Sequence, residues 1–227
     1  MGLILTLGTY AAVMVFLGTT LSHFLTLWKA SRVPVPAAPS TTKMKVRSFI
    51  KTAGDILFLK RLLKTNDLLW IGEWVFHVSF LFVVLRHLRY ILTPVPGWIW
   101  SIQFPGLVAG YILPVSLVFI LLIKWMGEGG YFSSYNFFLL VLLFTISTIG
   151  LLMKTVFIND IVMVKNFMIG IISFRPVAPP GGVLFTVHYL LSLLFLICIP
   201  SHIFSAPFVL LDAQTREDKL RTLLHER

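Results

Sequence analysis

The sequence predicts an all-α integral membrane protein: a bundle of five transmembrane helices with its N terminus outside and its C terminus in the cytoplasm. Hydrophobic residues make up 57% of the 227 residues and charged residues only 12%, whereas a soluble domain carries roughly a quarter charged residues. Long apolar segments recur along the chain, and the basic residues between them are unevenly distributed. Together these features predict a multi-pass protein of the inner (plasma) membrane.

Five segments are long and apolar enough to cross a bilayer. A membrane-spanning backbone must satisfy its own hydrogen bonds, so these segments are expected to be helices rather than isolated strands. The first segment lacks a basic leading region and is too long for the apolar part of a signal peptide, so we expect a retained helix. The five predicted spans are residues 3–28, 68–92, 106–125, 137–157 and 182–209.

Basic residues set the predicted orientation, because loops rich in Lys and Arg face the cytoplasm. The loop 93–105 has no basic residue, whereas the tail 210–227 has four; Lys165 and Arg175, between the last two spans, are a minor exception. The net charge of +10 is explained by this topology and by anionic headgroups, so nucleic-acid binding is not expected. Nine basic residues lie between the first two spans: Lys29, Arg32, Lys43, Lys45, Arg47, Lys51, Lys60, Arg61 and Lys64.

The predicted cytoplasmic loop, residues 29–67, has two parts. Residues 33–42 form a Pro-rich linker that is not expected to be helical. Residues 44–66 place apolar side chains at near-helical spacing with basic residues opposite, which predicts an amphipathic helix. This helix either lies on the inner membrane surface, in contact with lipid, or docks a partner protein. The charged tail, residues 210–227, is expected to contact a cytoplasmic subunit.

Four histidines lie inside two of the predicted spans: His77 and His87 in the second, His188 and His202 in the fifth. Histidine is costly in hydrocarbon, so a histidine within the membrane indicates a functional site. The two spans run in opposite directions, which brings His77 level with His202 and His87 level with His188. Their spacings of ten and fourteen residues correspond to rises of roughly 15 and 21 Å. The pattern predicts two metal centres, one in each half of the bilayer.

Bis-histidine haem b fits this pattern. The chain has no C-x-x-C-H motif and a single cysteine, Cys198, which excludes covalent c-type haem and protein-bound iron–sulfur clusters. Zinc and copper sites normally gather their ligands closely rather than in stacked pairs. The sequence therefore predicts two haem b groups, each with one axial histidine from each of the two helices.

Further polar residues lie near the predicted haem sites. Arg86 and Arg89, beside His87, either bind haem propionates or extend to lipid headgroups. His23, near the inner end of the first span, is an alternative ligand, a propionate or quinone-site residue, or an interfacial histidine in contact with water. His77 and His87 are about 80° apart around a regular helix, so a tilt or a local bulge must help to turn both toward one partner helix.

The predicted topology and the histidine pattern resemble those of the cytochrome b (gamma) subunit of respiratory nitrate reductases. The shared features are five helices, an external N terminus, two histidines ten residues apart on the second helix and two more on the fifth. The resemblance implies two b haems that exchange electrons with the quinone pool, with His87 and His188 at the outer haem and His77 and His202 at the inner haem. Three features depart from that family: the fifth-helix spacing of fourteen residues is shorter, the cytoplasmic loop is long and basic, and no lysine occurs early in the third helix. The chain looks closer to cytochrome b subunits of sulfate-reducer complexes, namely the high-molecular-weight cytochrome c complex and the sulfite-reduction-associated complex.

The resemblance implies a single dihaem cytochrome b domain over residues 1–227, an electron-transfer subunit of a membrane oxidoreductase complex. It would move electrons between a quinone pool, with menaquinone as the substrate, or a periplasmic multihaem cytochrome c and a cytoplasmic iron–sulfur subunit. Polar residues predicted at the outer side, Arg89, Lys154, Asn159 and Asp160, are candidates for the quinone site; Lys154 interrupts an apolar run and otherwise anchors the helix at the interface. The alternative is a haem-free membrane anchor or a proton or metal transporter, for which Glu73 is the one acid near a histidine.

Overall fold

The computed structural model describes residues 1–31, 42–127, 133–200 and 213, and no strand occurs among them. A short 3-10 turn, Leu88–Tyr90, extends the fourth helix. The helices are α1 (Gly2–Ser31), α2 (Thr42–Leu57), α3 (Lys60–Thr65), α4 (Asp67–His87), α5 (Gly97–Ser101), α6 (Gln103–Met126), α7 (Ser134–Thr155), α8 (Ile161–Ile172) and α9 (Val183–Cys198).

Four of these helices are long and apolar enough to cross a membrane, at the places where the first four spans were predicted. In the fifth predicted span, 182–209, the structure describes α9, a helix of 16 residues with a length of about 24 Å. Residues 201–209 lie outside the described part of the chain, so the fifth span stays a prediction. The four candidate spans are Gly2–Lys29, Asp67–Tyr90, Gln103–Met126 and Ser134–Thr155.

Two segments differ from the sequence prediction. The segment 44–66, predicted as one amphipathic helix, forms two helices, α2 and α3, because Leu59 has a φ of +46° that no α-helix accommodates. The connection between the last two spans contains α8, which the sequence analysis treated as a loop. Apart from their residues 42 and 213, the predicted linker 33–42 and tail 210–227 lie outside the described residues.

The chain divides into two compact units, residues 1–13 with 66–196 and residues 14–65 with 197–227. Within the first unit, α4, α6, α7 and α9 share one apolar core. Gly72 of α4 is buried at the contact with α6: a Cβ placed there would lie 2.9 Å from a Phe119 ring carbon, so the small residue lets the two backbones approach. The core residues are Leu113, Leu117 and Ile120 of α6 and Leu140 and Leu143 of α7, with Phe76, Phe80 and Val83 of α4 and Phe195 of α9 packed against them.

A second cluster in the first unit joins the start of α1 to α8 and α9. Its buried members are Leu5, Phe167, Ile171, Phe185 and Tyr189. The Tyr189 ring stacks on Phe185 and meets the Phe167 ring edge to face, a geometry that aromatic quadrupoles favour. These contacts fix the rotation of α9 about its own axis, and with it the direction of the residue before Tyr189.

Candidate functional site

The two histidines of α4 lie on the exposed surface of the helix, and each is oriented by its own backbone. His77 Nδ1 is 2.6 Å from the carbonyl oxygen of Glu73, and His87 Nδ1 is 2.6 Å from that of Val83. A carbonyl oxygen only accepts hydrogen bonds, so Nδ1 is the protonated nitrogen in both rings. In its neutral form each ring therefore keeps a lone pair on Nε2, the state in which histidine binds a metal ion.

His188 of α9 is half-buried and is oriented by a different helix. Its Nδ1 lies 3.1 Å from the carbonyl oxygen of Ile146 on α7, so the proton again resides on Nδ1 and Nε2 is left as an acceptor. Gly150, one turn further along α7, faces the same ring: a Cβ built there would lie 3.1 Å from His188 Cε1. All three described histidines of the predicted ligand set thus have the same nitrogen available.

An aromatic pair sets the register between α4 and α9. The rings of Phe80 and Phe195 meet edge to face with centroids 5.9 Å apart. Phe80 is seven residues before His87, and Phe195 is seven residues after His188. Seven residues are nearly two helical turns, about 10.5 Å of rise and within about 20° of the same face. The second and fifth spans are predicted to run in opposite directions, and with that orientation this contact would bring His87 and His188 level and turn their faces toward each other.

Within the described ranges, no three His, Cys, Asp or Glu side chains gather into a group that could enclose a metal ion. A site with one histidine from each of two helices suits a planar macrocycle, which supplies four of the six ligands of its iron itself. The chemistry of these donors fits haem b.

Two arginines lie beside His87 at the same end of α4. Arg86 Nε and Arg89 Nη1 both donate to the Gln103 side-chain oxygen, at 3.4 and 2.9 Å, and Arg89 also donates to the Tyr90 hydroxyl. Arg89 Nε is buried and has no hydrogen-bond partner among the described residues. Two guanidinium groups therefore share one neutral acceptor and keep donors for an anion, such as a propionate.

The quinone-site candidates differ in what the structure shows of them. Asp160 caps the N terminus of α8 by accepting from the backbone nitrogens of Val162 and Met163, and Asn159 donates to the sulfur of Met153 at 3.1 Å. Both side chains therefore have structural roles. Lys154, in the last turn of α7, is exposed and remains a candidate.

Two predicted residues are not part of this geometry. His202 lies outside the described residues, so its predicted pairing with His77 stays a prediction. His23 is half-buried on the part of α1 that belongs to the second compact unit.

Sequence reasoning missed two residues that the structure brings to the site, Gln103 and Gly150. Gln103 is the one amide side chain in residues 93–126, and that rarity was a usable signal. For Gly150 no such signal exists in the sequence, because glycine is common within the apolar spans of membrane helices.

Comparison with known proteins adds an independent observation. No protein-family model matches the chain, and no solved structure matches it. The chain is similar to the Hdr-like menaquinol oxidoreductase cytochrome b-like subunit of Archaeoglobus profundus, with 31% identity over 58% of this chain and 43% of that protein. It is also similar to the protein of the same name from Archaeoglobus fulgidus, with 25% identity over 84% of this chain and 72% of that protein.

The first of these matches spans less than half of the relative's length. Both relatives are named cytochrome b-like subunits, and the described part of this chain has four helices of membrane-spanning length and composition. The chain is a multi-pass protein of the inner membrane.

Proposed function

We propose that this chain is a b-type cytochrome subunit of a menaquinol oxidoreductase complex, with two haem b groups that let it move electrons across the bilayer. The relatives' shared name, menaquinol oxidoreductase cytochrome b-like subunit, supports the class of complex. One end of the path is the quinone pool or a periplasmic multihaem cytochrome c, and the other is a cytoplasmic iron–sulfur subunit. The nitrate reductase type of subunit is not favoured by these relatives.

The observation that carries the proposal is the Phe80–Phe195 contact between α4 and α9, which supports placing His87 level with His188. Each of these two rings donates from Nδ1 to a backbone carbonyl. We assign these two histidines to the outer haem, and His77 with His202 to the inner haem. The assignment of His77 is supported by the same kind of hydrogen bond, from Nδ1 to a backbone carbonyl, which leaves Nε2 for the iron.

Haem b, when bound, would supply reversible one-electron transfer in a part of the membrane that has no other redox group from this chain. The residues of the chain bind and orient it. The carbonyls of Glu73, Val83 and Ile146 fix the tautomer of the histidines, and such second-shell hydrogen bonds raise the basicity of a ligand. Arg86 and Arg89 would bind the propionates of the outer haem through the donors that Gln103 leaves free.

Menaquinone is proposed to bind on the outer side, close to the end of α4 that carries His87. Lys154 is the residue we assign to that site, because its side chain is exposed in the last turn of an otherwise uncharged helix. A lysine ammonium donates hydrogen bonds to a quinone carbonyl and stabilises negative charge that develops on it.

On the cytoplasmic side, we propose that α2 and α3 face anionic lipid or the iron–sulfur partner. Lys51, Lys60, Arg61 and Lys64 are exposed there, and Asp55 is the acid that pairs with Arg61 at 3.6 Å. The excess of positive charge favours an acidic surface.

A haem-free proton transporter has less support. Such a path would use the acid nearest a histidine, Glu73, but its carboxylate is paired with Lys124 Nζ at 2.9 Å. The ion pair holds that charge in a structural contact between α4 and α6.

A reduced-minus-oxidised spectrum and a haem-to-protein ratio of the complex test the proposal. We expect two haem b groups per chain in the wild type and one in His87→Ala and in His188→Ala, which should lose the same haem. A complex without b haem would disprove the proposed function. If the two variants lost different haems, the pairing of His87 with His188 would be wrong.

A further inference from the structure

We infer that Gly150 of α7 is a positioning residue for His188, so that a third helix sets the ligand geometry of the outer haem. The inference rests on the proposed function, which makes His188 an axial ligand. It concerns a residue that does not itself touch the iron and that acts only through the imidazole ring it accommodates.

The first step is the contact between the ring and α7. A Cβ at Gly150 would lie 3.1 Å from His188 Cε1 and 3.6 Å from His188 Nδ1. The shorter of these is tighter than ordinary van der Waals contact, so the ring would have to move by a few tenths of an ångström. The ring therefore lies directly against Gly150, where a side chain would crowd it.

The second step is the hydrogen bond that this place permits. Ile146 and Gly150 are one turn apart and share a face of α7. The His188 ring lies against Gly150 and donates from Nδ1 to the Ile146 carbonyl at 3.1 Å. The missing side chain thus lets the imidazole reach a backbone acceptor on a neighbouring helix.

The third step is that α9 offers little room for adjustment. Tyr189, the next residue, is hydrogen-bonded to Thr9 of α1, with 2.5 Å between the hydroxyl oxygens, and its ring contacts Phe167 and Phe185. Ser192 donates to the backbone carbonyl of His188 at 2.7 Å. A displaced ring must therefore turn about its own side-chain bonds rather than carry the helix with it.

His188 differs in this respect from the histidines of α4. His77 and His87 donate to carbonyls of their own helix, four residues earlier, so their orientation does not depend on a neighbour. The orientation of His188 depends on α7 instead. Because hydrogen bonding and orientation of an axial ligand tune the haem, Gly150 should influence the outer haem and leave the inner haem unaffected.

The test uses Gly150→Ala in the complete complex, read by low-temperature electron paramagnetic resonance of the oxidised haems and by redox titration. The low-spin signal that His188→Ala abolishes identifies the outer haem. In Gly150→Ala that signal and its midpoint potential should shift, while the signal of the inner haem stays where it is. Gly150→Leu, which fills the space of the ring, should lose the outer haem and keep the inner one.

Gly110→Ala is the matched control. Gly110 also lies inside a candidate span, on α6, but a Cβ there meets nothing within 4 Å, and both substitutions favour the helix to a similar extent. Its two signals should match those of the wild type. An unshifted outer signal in Gly150→Ala, or a shift of both signals, would overturn the positioning role. A wild-type complex without b haem would instead overturn the proposed function. If Gly150→Leu does not accumulate, the Ala variant decides alone.

Discussion

The Glu73–Lys124 ion pair allows a prediction whose size follows from the structure. Glu73 Oε1 on α4 lies 2.9 Å from Lys124 Nζ on α6, and the two side chains are 17% and 26% exposed. At this distance two unit charges attract by about 6 kcal/mol for an effective dielectric constant of about 20. Desolvation cancels a large part of that attraction, yet removing one partner of a fully buried pair still costs about 3–5 kcal/mol, because the other charge is left uncompensated.

We expect Glu73→Gln and Lys124→Met each to lower the free energy of unfolding by about 2–3 kcal/mol. This is less than the cost for a fully buried pair, because both side chains are partly exposed. The double variant should lose less than the sum of the two, with a coupling energy of about 1–2 kcal/mol. The measurement is reversible unfolding in detergent micelles, followed by helical circular dichroism.

Lys51→Met, at an exposed lysine of α2, is the control and should change stability by less than about 0.5 kcal/mol. The haem that we assign to His77 should keep its spectrum in Glu73→Gln, because His77 donates to the backbone carbonyl of Glu73 and not to its carboxylate. Strictly additive losses in the double variant would refute the reasoning, since the two charges would then not stabilise each other.

Three further outcomes are expected. Tyr189→Phe removes the hydroxyl that donates to Thr9 and should lower the free energy of unfolding by about 1 kcal/mol, with the haem content unchanged; equal stability would mean that the bond contributes nothing. Lys154→Met should raise the KM for a menaquinol analogue about tenfold, the loss of one hydrogen bond from a charged group, without altering the haem spectrum; an unchanged KM would remove Lys154 from the quinone site. His23→Gln should retain two haems per chain in a pyridine haemochrome assay, and loss of one would make His23 a ligand.

Hydropathy predicted four spans well because it measures how a segment partitions into lipid, which depends little on neighbouring helices. The second predicted span, 68–92, corresponds to Asp67–Tyr90 in the structure, and the fourth, 137–157, to Ser134–Thr155. The break between α2 and α3 was missed, because apolar periodicity continues across it although Leu59 has a positive φ. The helix α8 was missed because its 12 residues are too few for a span.

For the candidate site, the residue types were predictable and their contacts were not. Histidines within apolar segments stand out in any sequence, since hydrocarbon penalises them. The choice of Asp160 and Asn159 as quinone candidates rested on polarity alone, and the structure gives both a local hydrogen bond. A polar residue near a span end can cap a helix or bind a ligand, and only the neighbouring backbone distinguishes the two.

The sequence by itself determined that this is a membrane protein and that four histidines lie in two apolar segments, because both properties are local. Only the tertiary structure shows which side chains of neighbouring helices touch. Phe80 of α4 meets Phe195 of α9, a contact that agrees with the predicted pairing of His87 with His188, and α7 supplies the carbonyl and the glycine that orient His188. Such contacts join residues far apart in the chain, so they depend on how the helices pack and cannot be deduced from the spacing of histidines along one segment.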